Sequence, residues 1–357
     1  MTNDLDLQSL ILESATRILR DSCDPQTVNV AFGDGWKEPL WRDLEESGLT
    51  LCWIAEDKGG AGVPLAVGFE VLFVAGRFAI PVPLSETMIA GWLLSAADIP
   101  VPEGSITLSS QPSRQSVNVD ASGKLSGTVT AVPFAGEADY LAVCAPGEGG
   151  PIIALAAMQD CTPATKSSFS GDPKGDVGLD GVIPVASAPM PFEMNEEALL
   201  MFGAAARSRQ IAGALQAILD LSVSYARERV AFGRPIGKFQ AVQHNLARLA
   251  GEVAAANAAS GSACDTITRA GSFDETVFLE AASAKIRAGE AAGEGAAIAH
   301  QVFGAIGFTQ EHVLHRYTRR LWGWRDDFGS ESEWAEKLGR RVVDAGADEL
   351  WPMLAAR

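Results

Sequence analysis

Apolar positions in the first hundred residues recur at helical spacing. Leu7, Leu10, Ile11, Ala15, Ile18 and Leu19 lay one stripe along a helix over 7–20, because positions three and four apart share a helix face. A second, short helix is predicted over 41–48, and a longer apolar one over 65–78, closed by Pro81 and Pro83. Between them, Leu51-Cys52-Trp53-Ile54 opens into a loop containing Gly59, Gly60 and Gly62. The period changes after Gly104. Short β-prone runs at 105–108, 124–130, 140–144 and 152–155 are separated by Gly, Pro, Asp and Ser, and the stretch to about Val185 reads as a small antiparallel β-domain. Helical spacing returns near Asn195. Ile211, Ala214, Leu215, Ile218, Ser222 and Tyr225 share a face, Phe239, Val242, Leu246, Leu249 and Val253 form a bundle seam, and 274–301 is rich in the helix formers Ala, Glu and Lys. The expected class is α+β: an N-terminal helical domain (1–103), a middle antiparallel β-domain (104–190) and a C-terminal helical bundle (191–357) of about four long helices.

Composition narrows the function. The chain has 357 residues, 47% of them hydrophobic, which is ample for a large core. No apolar run is long enough to span a membrane. Met1-Thr2-Asn3-Asp4 lacks the basic-then-apolar start of a secretory leader. The five cysteines are scattered without a CxxC pair, so free thiols in a reducing cytoplasm are expected rather than a disulfide scaffold or zinc site. With 28 Lys and Arg against 45 Asp and Glu, the net charge of −17 argues against a nucleic-acid partner. A few placed Arg residues can still serve a phosphorylated ligand.

Two segments carry candidate chemistry. In the first, from Arg227 to Gln240, a helix ends with Arg in its last turn, breaks at Gly233 and Pro235, and restarts near Lys238. This sets a guanidinium and an amide beside a tight turn, and the planar Arg fork suits a diphosphate. On the pattern alone, an ordinary helix end with Gly and Pro making the turn is the commoner source of such a segment. The second runs from His300 to Glu311, where the small residues Gly304, Ala305 and Gly307 admit a close backbone approach. A glycine-capped helix end is its plain alternative. Glu311 and His315 have the spacing of helix-borne metal ligands, but the chain has four His and no matching second cluster, so a surface helix is expected and no metal site. Trp322 and Trp324 read as core or interface residues.

Taken together, the segments resemble the acyl-CoA dehydrogenase family. Its pattern Arg-x-x-Phe-Gly-x-x-Ile-x-x-x-Gln is matched in full from Arg229 to Gln240. The later Gln-x-x-Gly-Gly-x-Gly-Phe is matched from Gln301 to Phe308 with one departure, Ala305. Leu49 to Gly62 and Gly123 to Val143 resemble two further family segments, with Val129 where a Lys would fall. The resemblance implies FAD bound across a subunit interface. Arg229, Phe232 and Gln240 would face the diphosphate and adenosine side, and Gln301, Val302, Phe303, Gly304 and Ala305 the adenine end, of a flavin whose ring lies in the neighbouring subunit. Ser330 would be a further cofactor contact.

The family reaction, α,β-desaturation of an acyl-CoA thioester, needs a positioned carboxylate to take the α-proton while the flavin accepts hydride. That carboxylate usually precedes a Gly-Thr or Gly-Ser. Here Gly329-Ser330 is present and Phe328 stands in place of Glu. Some members carry the base on the first long bundle helix, but Leu200-Met201-Phe202-Gly203-Ala204 has none. The loop that would hydrogen-bond the flavin ring is shortened: Leu108-Ser109-Ser110-Gln111-Pro112-Ser113 runs on to Val117 without the family's Gly-Ser-Asp. Asp326, Asp327, Glu331 and Glu333 flank the lost base; a displaced carboxylate or solvated loop charge accounts for them. The resemblance therefore implies a cytoplasmic FAD-binding subunit with no catalytic residue of its own. It would pair in an α2β2 assembly with a catalytically complete relative, which acts on bulky or unusual thioesters and passes electrons to an electron-transfer acceptor. Its rivals are a self-sufficient homo-oligomer using Glu331 or another displaced base, and a flavin-free binding protein of the same fold.

Overall fold

The computed structural model describes residues 2–31, 33–191 and 194–355. Helices α1 (Thr2–Cys23), α2 (Pro25–Val30), α3 (Lys37–Glu46), α4 (Leu65–Arg77) and α5 (Leu84–Ala96) form the N-terminal region. The first, third and fourth are the helices expected from the pattern, although the third starts and ends earlier. Pro83 does not end the helical region; it precedes α5, which the apolar stripe did not reveal. The reason is burial on every side: Leu84 to Gly91 are all buried, so no polar face interrupts the run.

The β-region comprises β1 (Ile106–Leu108), β2 (Ser116–Val119), β3 (Leu125–Pro133), β4 (Tyr140–Gly147), β5 (Gly150–Ala157), β6 (Thr162–Ser167), β7 (Pro173–Val182) and β8 (Ala186–Pro189). They make two four-stranded sheets, ordered β1-β4-β5-β8 and β2-β3-β7-β6. The expected antiparallel domain needs one correction: β1 runs parallel to β4, with Ile106 opposite Tyr140. That pairing is available because β2 and β3 intervene between the two strands and lie in the other sheet. Val117, Leu125, Val129, Leu141, Val143, Ala154 and Val177 fill the space between the sheets.

The bundle has three long helices rather than about four, α6 (Glu196–Glu228), α7 (Gln240–Ala270) and α8 (Glu275–Phe303), followed by the shorter α9 (Leu314–Trp324), α10 (Glu331–Ala345) and α11 (Leu350–Ala355). Side chains fix the helix starts: Asn195 accepts from Ala198 N at 2.9 Å, and Asp274 from Thr276 N and Val277 N at 2.9 and 3.1 Å. The N-terminal helices and the bundle share one core, in which Leu19, Leu72 and Met88 join Phe202, Phe278 and Trp334. Helices α4 and α6 cross almost backbone to backbone. A Cβ on Gly76 would sit 2.0 Å from the Gln210 carbonyl oxygen, and one on Gly213 2.0 Å from that of Phe73. No helix among the described residues is long and apolar enough to cross a membrane. The cysteines are free, and burial pushes the Cys23, Cys52 and Cys144 thiols up to about 12.

Candidate functional site

The two sequence segments lie at the same end of the bundle, the first between α6 and α7 and the second after α8. Between α6 and α7 the chain makes a hairpin of β9 (Val230–Ala231) and β10 (Arg234–Pro235). Its two turn residues, Phe232 and Gly233, have φ +51° and +80°, as a type I′ turn requires. Phe232 is 95% exposed and strained, since a side chain at positive φ costs about 1–2 kcal/mol. Arg229 and Gln240 are also exposed. The Arg229 guanidinium bonds to no other described residue.

At the C-terminal end of α8, Gly304 has φ +63°, and an added Cβ would meet nothing within 4 Å. The backbone here is open to a ligand. Gln301, Gly304 and Ala305 are exposed, as are Ile306 and Phe308. Val302 and Phe303 instead turn into the bundle core, which leaves only their backbone to a cofactor. Tyr225, one turn before Arg229, donates to the Phe303 carbonyl at 3.5 Å and packs its ring 4.5 Å from that of Phe303, which ties the two segments together. An exposed Arg, two exposed amide side chains and an unobstructed glycine turn are donors suited to a diphosphate and adenosine. This half of the molecule fits the dinucleotide part of FAD.

The opposite half does not fit a flavin ring or an acyl group. Phe328 is 1% exposed, and its ring lies directly on Gly203; a Cβ there would come within 2.2 Å of Phe328 Cδ1. The loop position and the helix stretch 200–204, in which a base was sought from sequence, thus meet in space, and hydrocarbon fills their meeting point. Beyond it, Trp92 stacks on Phe202 with centroids 3.8 Å apart, and Trp53 and Phe69 close in on the same ring. Phe328 has φ +55° and is clamped from both sides. Its N–H donates to Ser110 O at 2.7 Å, and its carbonyl accepts from Trp334 Nε1 at 2.8 Å. Buried Lys285 donates to the carbonyls of Arg325 and Gly329 at 2.5 and 2.6 Å. Burial lowers the Lys285 pKa to about 7.

Between this loop and the β-region lies a cleft of about 230 Å³, lined by Gln111, Phe134, Asp172, Lys174, Trp324 and Asp327 among others. Typical ligand sites hold roughly 300–1,000 Å³. Charged side chains bridge its floor. Arg207, 1% exposed, pairs with Glu86 and lies 3.2 Å from Asp327, which also takes Lys174 at 2.5 Å. Burial opposes the charge on Arg207, but Glu86 and Asp327 outweigh it and raise its pKa. Burial likewise opposes the Asp327 carboxylate, and Lys174 and Arg207 hold it ionised. Arg320 pairs with Asp172 nearby. The sequence reading missed this network. Its signal was a charge at a core position of an otherwise apolar run: Glu86 within 84–94, and Arg207 after Leu199 to Ala206.

Two of the remaining carboxylates near Phe328, Glu331 and Glu333, are engaged. Glu331 pairs with Arg325. Glu333 and Ser330 form the capping box of α10, and Glu333 also pairs with Arg114 at 2.8 Å. Ser330, sought as a cofactor contact, therefore spends its hydroxyl on that cap. Asp326 is exposed. Glu311 and His315 do not share a helix, because Glu311 lies in the turn before α9; the His315 ring contacts the His312 carbonyl at 2.8 Å. Trp324 is buried in the bundle core, while Trp322 lies 5.9 Å from the His300 ring.

Comparison with known proteins identifies the family and the fold. Residues 193–324 match the family profile described as acyl-CoA dehydrogenase, C-terminal domain. The chain is 31% identical over 348 residues to acyl-CoA dehydrogenase IpdE2 of Mycobacterium tuberculosis, covering 95% of this chain and 98% of that one. Among solved structures, it superposes on a chain of the ChsE4-ChsE5 complex from Mycobacterium tuberculosis with TM-score 0.83 at 23% identity, covering 97% and 99% of the two chains. Butyryl-CoA dehydrogenase from Megasphaera elsdenii gives TM-score 0.79 at 19% identity, with 95% and 98% covered.

Proposed function

Since the chain belongs to the acyl-CoA dehydrogenase family, we propose that it is the non-catalytic subunit of a heteromeric acyl-CoA dehydrogenase, completing a flavin site centred on a partner. The observation that carries this reading is the contact of Phe328 with Gly203. The loop position of the family base and the helix stretch that carries it in some members are both apolar, and they pack directly on one another. The similarity to a chain from a complex of two differently named proteins supports assembly with an unlike partner.

When bound, FAD supplies the hydride acceptor for desaturation. This chain's share is positioning. Arg229 and Gln240 hold the diphosphate and adenosine side, and Gln301 with the turn at Gly304 and Ala305 borders the adenine. The exposed Phe232 faces the same side of the cofactor as Arg229 and Gln240. The acyl-CoA, the base and the flavin-ring contacts lie with the partner, in the cytoplasm, and an electron-transfer protein removes the electrons. Glu331 is disfavoured as a displaced base because Arg325 already holds it.

The test is the flavin-to-protein ratio with native mass spectrometry, for the chain alone and co-expressed with a catalytically complete relative. The expected result is a nearly colourless, inactive chain, and one FAD per unlike pair in the complex. A homo-oligomer carrying one flavin per chain and oxidising an acyl-CoA would overturn the proposal.

A further inference from the structure

The hairpin holds more cationic chemistry than the family pattern identifies. Arg234 lies opposite Ala231, and Ile236 N–H donates to the Arg229 carbonyl at 2.8 Å. Residues directly across a ladder share a face, as do alternate residues along a strand. Arg229 and Arg234 therefore project from the same face as diagonal neighbours, a placement with about 7–8 Å between positions. The Arg234 guanidinium carbon sits 4.2 Å from the centroid of the Phe239 ring. Phe239 is in turn edge-on to Phe232 at 6.2 Å and 85°. Arg234 is thus held by an aromatic face and not by a carboxylate.

Neither guanidinium pairs with an acid among the described residues. The nearby Glu228 accepts from Ser224 Oγ at 2.9 Å. Acids outnumber Lys and Arg by 45 to 28 in this chain, and some exposed arginines find one, as Arg248 finds Glu294 at 3.2 Å, whereas Arg229 and Arg234 stand side by side on one face without one among the described residues. Two adjacent, unneutralised forks on one face suit a ligand with two linked anionic groups.

We propose that Arg229 and Arg234 form a two-guanidinium clamp for the diphosphate of an adenine dinucleotide, with Phe239 as the positioning residue that sets the pose of Arg234. The proposal rests on the half-site reading above and adds its second cation. A diphosphate engages both forks, whereas a monophosphate engages one. The clamp accordingly prefers ADP, which carries the part of FAD this chain would hold, over AMP.

The experiment is calorimetric titration of the full-length chain with ADP and AMP at low and moderate salt. Arg234→Gln should weaken ADP about ten-fold, the size of one exposed charge-assisted contact, and change AMP little. Arg234→Lys should restore part of the loss, since it returns the charge without the fork. Phe239→Leu should fall between wild type and Arg234→Gln. Arg234 is exposed, so folding is not at stake in its variants. If Arg229→Gln weakens ADP and Arg234→Gln does not, the clamp is wrong and the half-site stands. If wild type binds no ADP, or neither substitution matters, the clamp is wrong, and the half-site reading is then decided by the flavin-to-protein ratio of the co-expressed complex.

Discussion

Substitution of Phe328 separates packing from backbone strain at the filled reaction centre. The ring is 1% exposed within the main core, and truncating such a Phe to Ala costs about 3–5 kcal/mol in lost transfer energy and cavity. Position 328 also sits at φ +55°, where any residue with a Cβ carries a penalty of about 1–2 kcal/mol that glycine escapes. Glycine ordinarily loses about 0.5–1 kcal/mol to Ala through its freer unfolded chain. The balance predicts that Phe328→Gly is as stable as Phe328→Ala, or more stable by up to about 1.5 kcal/mol, although both fall well below wild type. Urea unfolding with matched m-values reads the difference directly. The reasoning is refuted if Phe328→Ala costs under about 1 kcal/mol, or if Phe328→Gly is clearly the less stable of the two. Phe328→Glu should yield no dehydrogenase activity in the isolated chain, because it would return a carboxylate without returning a site for the flavin ring.

Lys285 has a pKa of about 7 in the folded chain against an ordinary 10.5. The unfolded state therefore binds more protons between these values, and stability should rise with pH by about 1.4 kcal/mol per unit across that window. Urea midpoints from pH 7 to 8 test this below the range, near the ordinary thiol value of 9.0, where the raised thiols act in the opposite sense; a slope unchanged in Lys285→Met would contradict it. Arg207→Met should cost about 3–5 kcal/mol by leaving buried Glu86 without its partner, and adding Glu86→Leu should recover part of it. Independent, additive costs in that cycle would show that the pair is not coupled.

The legible parts of the sequence were those with a periodic or ordered signature. α1, α4, α6, α7 and α8 announce themselves by stripes or composition, and the exposed hairpin by an Arg, a Gly-Pro break and a Gln at fixed offsets. α5 was illegible because burial all round erases the period that distinguishes a helix face. The parallel pairing of β1 with β4 was illegible because both strands look like any short buried strand, and which strands pair across an intervening stretch of chain is a tertiary choice. In the site, the absence of a carboxylate at 328 and 203 could be read from residue identity alone. That Phe328 and Gly203 touch could not, since they lie on different elements more than a hundred residues apart. Phe328 is consequently more than a missing base.

The charge network gives the last step of the argument. A buried ion pair is poor evidence of stability, because desolvation offsets most of its Coulombic gain and an apolar replacement often does as well. Its informative property is placement. Glu86 comes from α5, Arg207 from α6, Lys174 from β7 and Asp327 from the loop after α9, so charges from four elements reach across the junction of β-region and bundle to meet. A chain that kept a planar cofactor in that junction would need those elements held apart by the ligand. Here they are held together by mutual contacts, with Phe328 locked beside them by Ser110 and Trp334. No single substitution separates four elements, so this half cannot regain a cofactor by restoring a base. The other half asks for nothing from the interior: its hairpin and glycine turn are surface features whose donors remain unpaired until something else arrives. On the heteromeric reading, this difference sets the direction of dependence. The partner can lend its ring site to this chain's donors, but this chain has no ring site to lend in return, and the pair holds one flavin rather than two.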